Sequence, residues 1–298
     1  MGLDQVSLGD MVAFTMRLGL VAVFLYGFYA FVQVVAQPQK LLGDTESNRQ
    51  SRWPIPIRPL PALAIAVMLF LLSEIVGGIG VVLMLGLLLG NSIFEIGLLL
   101  ETSPWAQFAY LLMVSSAAVG GVYWMLKRLK LGWPSIGLSG LPKGKDLLWA
   151  AIGYAVYMAV FLVATGVIMQ VITGVDWGQE QELAFDRSLT GPGLVFAFAG
   201  LVILAPIAEE IMMRGFLYGA LRRYMGFGAA MIIVSVLFAA AHLQFGSGAT
   251  LLWSAAIDTF LLSCVLVYLR EKKESLWPAI GVHMIKNCVA FVMLFIIA

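Results

Sequence analysis

Apolar runs of about twenty residues recur along the whole chain, separated by shorter polar stretches that carry most of the charge. A run of that length, held as a helix, crosses a hydrocarbon core of about 30 Å. The helix is required because hydrocarbon offers no partner for a free backbone N–H or C=O. Eight candidate spans follow, at roughly residues 11–36, 61–90, 105–126, 147–174, 193–221, 228–246, 249–269 and 276–297. The pattern predicts an all-α fold, a polytopic transmembrane helical bundle of about eight spans.

Composition agrees with that reading. Of 298 residues, 61% are hydrophobic and only 12% charged, a balance far from that of soluble domains. The cations are unevenly placed. Loops 37–60 and 127–146, together with the short turns after the fifth and seventh spans, hold 14 of the 18 Lys and Arg. The alternate loops, 91–104, 175–192 and 247–248, hold only Arg187. By the positive-inside rule this alternation predicts cytoplasmic basic loops and both termini outside. No Lys or Arg precedes Arg17, so the first apolar segment is expected to stay as a span rather than act as a cleaved leader. The Pro-rich 37–60 loop reads as a linker or short re-entrant element, and 175–190 as an acidic external loop. Small-residue patches at 77–80 and 115–121 read as helix-packing surfaces. Cys264 and Cys288 lie far apart in apolar segments, which argues against a disulfide framework or a cysteine metal site. A net charge of +1 gives no sign of a nucleic-acid partner.

Ionisable groups at membrane depth are costly, so each is a candidate for function. They are Arg17, Glu74, Glu209, Glu210, Arg214, His242, Asp258, His283 and Lys286, with Asn287 as a strongly polar neutral neighbour. For Arg17, Glu74 and Asp258 the simplest expectation is a structural hydrogen bond, because nothing nearby in sequence completes a site. The others fall into helical registers. Glu210 and Arg214 are four apart on one helical face and can pair. Glu209 is turned about 100° away and lacks that partner. His283 and Asn287 are also four apart, and His242 follows Phe238 by one turn. Counting about 1.5 Å per residue from the basic ends puts Glu209, His242 and Asn287 near one level, about 20 Å in. His283 is placed about one turn nearer the cytoplasm.

A carboxylate without a counter-ion in a low-dielectric site suits a general base. A histidine could hold water against it, and a second His with an Asn could donate hydrogen bonds to an oxyanion. That combination describes amide hydrolysis. No GxSxG motif and no HExxH helix is present, so neither a serine nucleophile of that type nor that zinc helix is indicated. A zinc site using Glu209, His242 and His283 stays open. It would consume both histidines and leave Asn287 as the evident oxyanion donor, so the metal-free version is favoured, with no cofactor expected.

The segments EEIMMRG (209–215), FAAAH (238–242) and HMIKN (283–287) resemble the EExxxR, FxxxH and HxxxN motifs of the CAAX protease and bacteriocin-processing (CPBP, or Abi) family. The resemblance covers about 145–298 and implies intramembrane proteolysis in the cytoplasmic half of the bilayer. It implies water activation by Glu209 and His242, an oxyanion hole from His283 and Asn287, and support from Glu210, Arg214 and Phe238. Lys286, an unusual charge inside the third motif, is a candidate modulator of Glu209 or a ligand for a substrate carboxylate.

The chain then divides into an N-terminal transmembrane region, 1–130, with about three spans and the 37–60 linker, and a catalytic core, 131–298. The expected partners are membrane lipid and a protein or peptide substrate, lipidated or not, cut near its C-terminus. The expected location is the plasma membrane if the source is prokaryotic. The competing class is a transporter or immunity protein whose polar cluster moves protons or grips a peptide, but no inverted repeat supports it. The sequence carries no mark of oligomeric state.

Overall fold

The computed structural model describes residues 8–36, 52–171, 185–243 and 253–297. The Arg17 side chain, most of the 37–60 loop and most of the acidic 175–190 segment lie outside the described residues. Nine helices are described, and no strand: α1 (Leu8–Ala36), α2 (Pro59–Leu89), α3 (Ile93–Thr102), α4 (Pro104–Arg128), α5 (Gly144–Val171), α6 (Pro192–Tyr224), α7 (Phe227–Ala241), α8 (Trp253–Lys273) and α9 (Trp277–Ile297). While residues 172–174 and 244–252 lie outside the described residues, each of the eight predicted apolar segments contains a described helix. Seven are long and apolar enough to cross a membrane, and the chain is a multi-pass membrane protein. The sixth, α7, has 15 residues, about 22 Å at the helical rise, and falls short of a full crossing.

Local signals set most helix ends. Prolines open α2, α4 and α6, where a missing N–H costs nothing. Gly90 closes α2 in the left-handed conformation, φ 68°. The helix α3 falls where only an external loop was expected. Its start is a reciprocal cap: Ser92 Oγ accepts from the Glu95 N–H, and Glu95 returns to the Ser92 N–H at 2.7 Å. That Ser-x-x-Glu spacing was available in the sequence. The Ser92 N–H and the Ser92 hydroxyl both donate to Glu95 Oε2 and hold that carboxyl below its usual range.

The exterior is as greasy as the interior. Leu87 is 83% exposed and Val163 69%, whereas Glu210, Arg214, Ser235 and Ser263 are fully buried. Such inversion suits a hydrocarbon solvent, in which helices associate through close packing rather than hydrophobic exclusion. Small residues provide the closeness. Gly77 of α2 faces the Val114 backbone of α4, and Gly121 of α4 faces Leu69 of α2, so both predicted patches are contact surfaces. Where α5 crosses α9, a Cβ on Gly281 would lie 2.6 Å from the Ala150 Cβ.

The element ends that carry the cations meet at one end of the bundle. Arg223 donates to the Trp53 carbonyl, Tyr224 to that of Pro56, and the Leu276 N–H to that of Gly137. Over its last residues the Pro-rich segment before α2 packs as a structural plug. Trp53, Ile55 and Ile57 alternate inward and are buried, with Trp53 edge-on to Tyr218 at 5.2 Å. Prolines keep this stretch extended and period-two, so every second side chain points into the core. The largest core draws on both sides of residue 130, from Ala30, Met68 and Val122 to Met213, Phe216 and Val267.

Gly281→Leu should wedge α5 from α9 and lower stability by about 1–3 kcal/mol. Gly166→Ala, at a position with open space around it, should not. Thermal unfolding of the two variants in one detergent checks this, and equal midpoints would refute the close-crossing account.

Candidate active site

The site is organised by α6, whose course follows from one residue. Pro206 lies in the helix interior, where its ring would crowd the carbonyl four residues back and its nitrogen cannot donate. The backbone answers by widening to i→i+5 turns over Ala199–Leu204, and widens again over Ile211–Leu217. Between them, Ala205–Glu210 is α-helical. The Ala205 N–H reaches back to Gly200 rather than Leu201. The Leu201 carbonyl would next look to residue 206, which is proline. Asn287 Nδ2 donates to that carbonyl at 2.9 Å. One of its two amide hydrogens is thereby committed and the side chain is oriented, with the second left over.

The two acids differ as their spacing predicts. Glu210 and Arg214 are fully buried and pair at 2.7 Å through Glu210 Oε1 and Arg214 Nη1. The Arg214 guanidinium also lies 4.1 Å from the centre of the Phe238 ring, a cation–π contact that replaces part of its lost hydration. Glu210 Oε1 accepts a second bond, at 3.0 Å, from His283 Nδ1. Because Glu210 is held as a carboxylate by Arg214, that ring nitrogen carries the hydrogen. His283 Nε2 is then directed at Glu209, 3.8 Å from Oε2. Glu209 keeps 28% side-chain exposure, yet its Oε2 is buried and has no hydrogen-bond partner.

His242 terminates α7, and its Nδ1 lies 2.8 Å from the Phe238 carbonyl. A carbonyl only accepts, so Nδ1 donates, and in the neutral ring Nε2 is the nitrogen with the lone pair. Phe238 is the hub of the cluster. Its ring meets His242 at 4.7 Å and His283 edge-on at 5.8 Å, besides Arg214. The fold therefore brings Glu209, Glu210, Arg214, Phe238, His242 and His283 into one cluster, with Asn287 next to it through Leu201.

The relative heights need correction. His283, not Asn287, stands level with Glu209, and Asn287 meets a residue eight positions earlier on α6. Residue counting assumed that helices start at equal depth. Instead α6 runs on at the basic end to pack Tyr218 and Gly219 against the Trp53–Ile57 plug. Lys286 also has a partner the sequence did not show. Its Nζ lies 3.1 Å from Asp258 Oδ2 on α8, and the hydroxyl of Tyr157 on α5 donates to Asp258 Oδ1. These three groups tie three helices together. Glu74 likewise accepts from Tyr110 at 2.5 Å. No sequence signal marked these pairings, since each joins residues at least 28 positions apart.

His283 and His242 each commit Nδ1, to Glu210 and to the Phe238 carbonyl, which leaves Nε2 of each ring for another partner. Among the described residues no three His, Cys, Asp or Glu converge as a zinc site needs. A groove of about 380 Å³ between α4 and α6, lined by Ser115, Ser116, Tyr123, Trp133, Ile207 and Ala208, ends one residue from Glu209.

Residues 191–289 match the family profile of Type II CAAX prenyl endopeptidase Rce1-like proteins. All seven motif residues lie inside that segment, and the family is the one the motifs resemble. No curated protein and no solved structure matches the chain.

Asp258→Asn and Lys286→Met should each destabilise the protein. The double variant should lose about 0.5–3 kcal/mol less than the two single losses combined, the mark of a coupled pair. Simple additivity in thermal or denaturant unfolding would remove the strut role.

Proposed function

We propose that the protein is a metal-free intramembrane endopeptidase that hydrolyses a peptide bond near the C-terminus of a membrane-associated or lipid-tethered substrate. The observation that carries this reading is the buried Arg214–Glu210–His283 chain, which aims one histidine nitrogen at an otherwise unpartnered carboxylate, Glu209.

Charge balance gives that geometry a chemistry. Glu209 and Glu210 carry two negative charges against the single positive charge of Arg214. A low-dielectric site favours neutrality, which is reached when one proton resides between His283 Nε2 and Glu209. With the proton on His283, Glu209 is a free base and Nε2 is a hydrogen-bond donor. Glu209, helped by the lone pair of His242 Nε2, then removes a proton from water as the water oxygen adds to the substrate carbonyl. The developing oxyanion is met by His283 Nε2–H and by the second hydrogen of Asn287 Nδ2. Collapse breaks the C–N bond, and the proton held by Glu209 passes to the leaving amine. The acyl fragment leaves as a carboxylic acid, and no atom or charge is left over.

Glu210, Arg214 and Phe238 act by holding His283 and need not touch substrate. The groove beside Ile207 and Ala208 supplies an apolar, partly hydroxyl-lined channel for an extended substrate segment or its lipid. The basic end of the bundle would face the cytoplasm, and if the source is prokaryotic the membrane would be the plasma membrane.

Purified protein in lipid nanodiscs should cleave an internally quenched peptide bearing a prenylated cysteine near its C-terminus. Glu209→Gln should lower kcat by at least about 10²-fold with an unchanged unfolding midpoint, and Asn287→Ala by about 10²–10³-fold. Glu210→Gln should also cost stability, because breaking a buried ion pair leaves Arg214 uncompensated, at about 3–5 kcal/mol. Full cleavage by Glu209→Gln would sink the mechanism. Chelators should not change the rate; loss on chelation with rescue by added zinc would transfer water activation to a metal.

A further inference from the structure

The basic end of the bundle contains a second cavity, of about 530 Å³, separate from the cluster around Glu209. Five cations, Arg52, Lys143, Lys145, Arg270 and Lys273, stand on its wall against two carboxylates, Asp146 and Glu274. Both carboxylates are engaged. Asp146 accepts from the Lys143 N–H at 2.8 Å, and Glu274 pairs with Arg52 at 3.2 Å. Glu271, the other nearby acid, is taken by Arg52, Arg222 and the Tyr218 hydroxyl.

Arg270 is the unusual member. It is only 3% exposed, yet its Nε is buried with no hydrogen-bond partner. The face of Trp53, 4.8 Å away, supports its guanidinium but satisfies none of its hydrogens. The fold makes room for it at some cost. Gly137 adopts φ 91°, and a Cβ there would lie 2.8 Å from Arg270 Cζ, so only glycine fits. A buried guanidinium without a carboxylate is expensive unless an anion joins it. The N-termini of α5 and α9, at residues 143–146 and 274–277, open onto the same cavity and add positive potential.

We propose that this cavity is a binding site for a phosphate group, gripped by Arg270 with Lys143, Lys145 and Lys273. The volume is far larger than a carboxylate needs. Cations and helix ends converge from several elements, which suits an anion with three acceptor oxygens and more than one charge. Hydroxyls of Ser135, Ser139 and Ser275 lie on the same wall. The phosphate is carried either by the headgroup of an anionic lipid or by a soluble molecule. The site stands apart from the hydrolytic reading and does not depend on it.

Calorimetric titration of the purified protein in a neutral maltoside detergent tests the assignment. The probes are dioctanoyl phosphatidic acid, inorganic phosphate, and dioctanoylglycerol as the tail-only control. Saturable binding of phosphatidic acid is expected, weakened at least tenfold in Arg270→Gln and in Lys143→Gln/Lys145→Gln. The lysine pair is exposed, so that variant decides the matter if Arg270→Gln does not fold. Much tighter binding of phosphatidic acid than of inorganic phosphate supports a lipid headgroup as the source. Equal binding of the two supports a soluble phosphate. The proposal is overturned by no saturable binding of either, by equal binding of dioctanoylglycerol, or by affinity unchanged in every folded variant.

Discussion

A fully buried carboxylate–guanidinium pair is the constraint on which the centre of this protein depends. Glu210 and Arg214 have no exposure to solvent, and neither could be tolerated alone at that depth. Pairing reduces the penalty without abolishing it, because two ions have still left water. Glu210 Oε2 and Arg214 Nε and Nη2 stay without hydrogen bonds among the described residues. Two further contacts offset part of the remainder: the Phe238 face against Arg214 and the His283 ring against Glu210. Each fixes a helix. The pair lies on α6, Phe238 on α7 and His283 on α9, so one electrostatic requirement sets where three helices must meet.

A second requirement, that every backbone group in hydrocarbon find a partner, explains the rest of the site. Pro206 removes a donor in mid-helix and the chain widens around it. The freed Leu201 carbonyl then recruits Asn287. A side chain that reads as catalytic in the sequence thus also closes a gap in backbone bonding. Its amide, with two hydrogens, can do both. The widened turns flank the glutamates on either side and set which way they face.

Outside the site the same solvent logic holds. Apolar side chains cover the surface, small residues draw the helices together, and charge collects at one end. That end is built as carefully as the interior. The Trp53–Ile57 plug, the Gly137 turn and the corner before α9 are joined by backbone and side-chain bonds, and Arg270 is set among them without an acid of its own.

Periodicity and run length determined much of this by themselves. Apolar runs of about twenty residues read as membrane-embedded helices, so the all-α bundle and the approximate limits of its helices were legible, although the sixth run falls short of a crossing. Four-residue spacing separated Glu210 from Glu209, and that distinction holds in three dimensions. The Ser92–Glu95 cap was legible too, since its partners are local. The pairings across helices were not: His283 with Glu210, Asn287 with Leu201, Lys286 with Asp258, and Arg270 left over at its cavity. Sequence spacing fixes angle and rise along one helix but not the height of one helix against another. That height is decided by close contacts such as Gly281 on Ala150 and by the plug beneath α6, which exist only once the chain is packed.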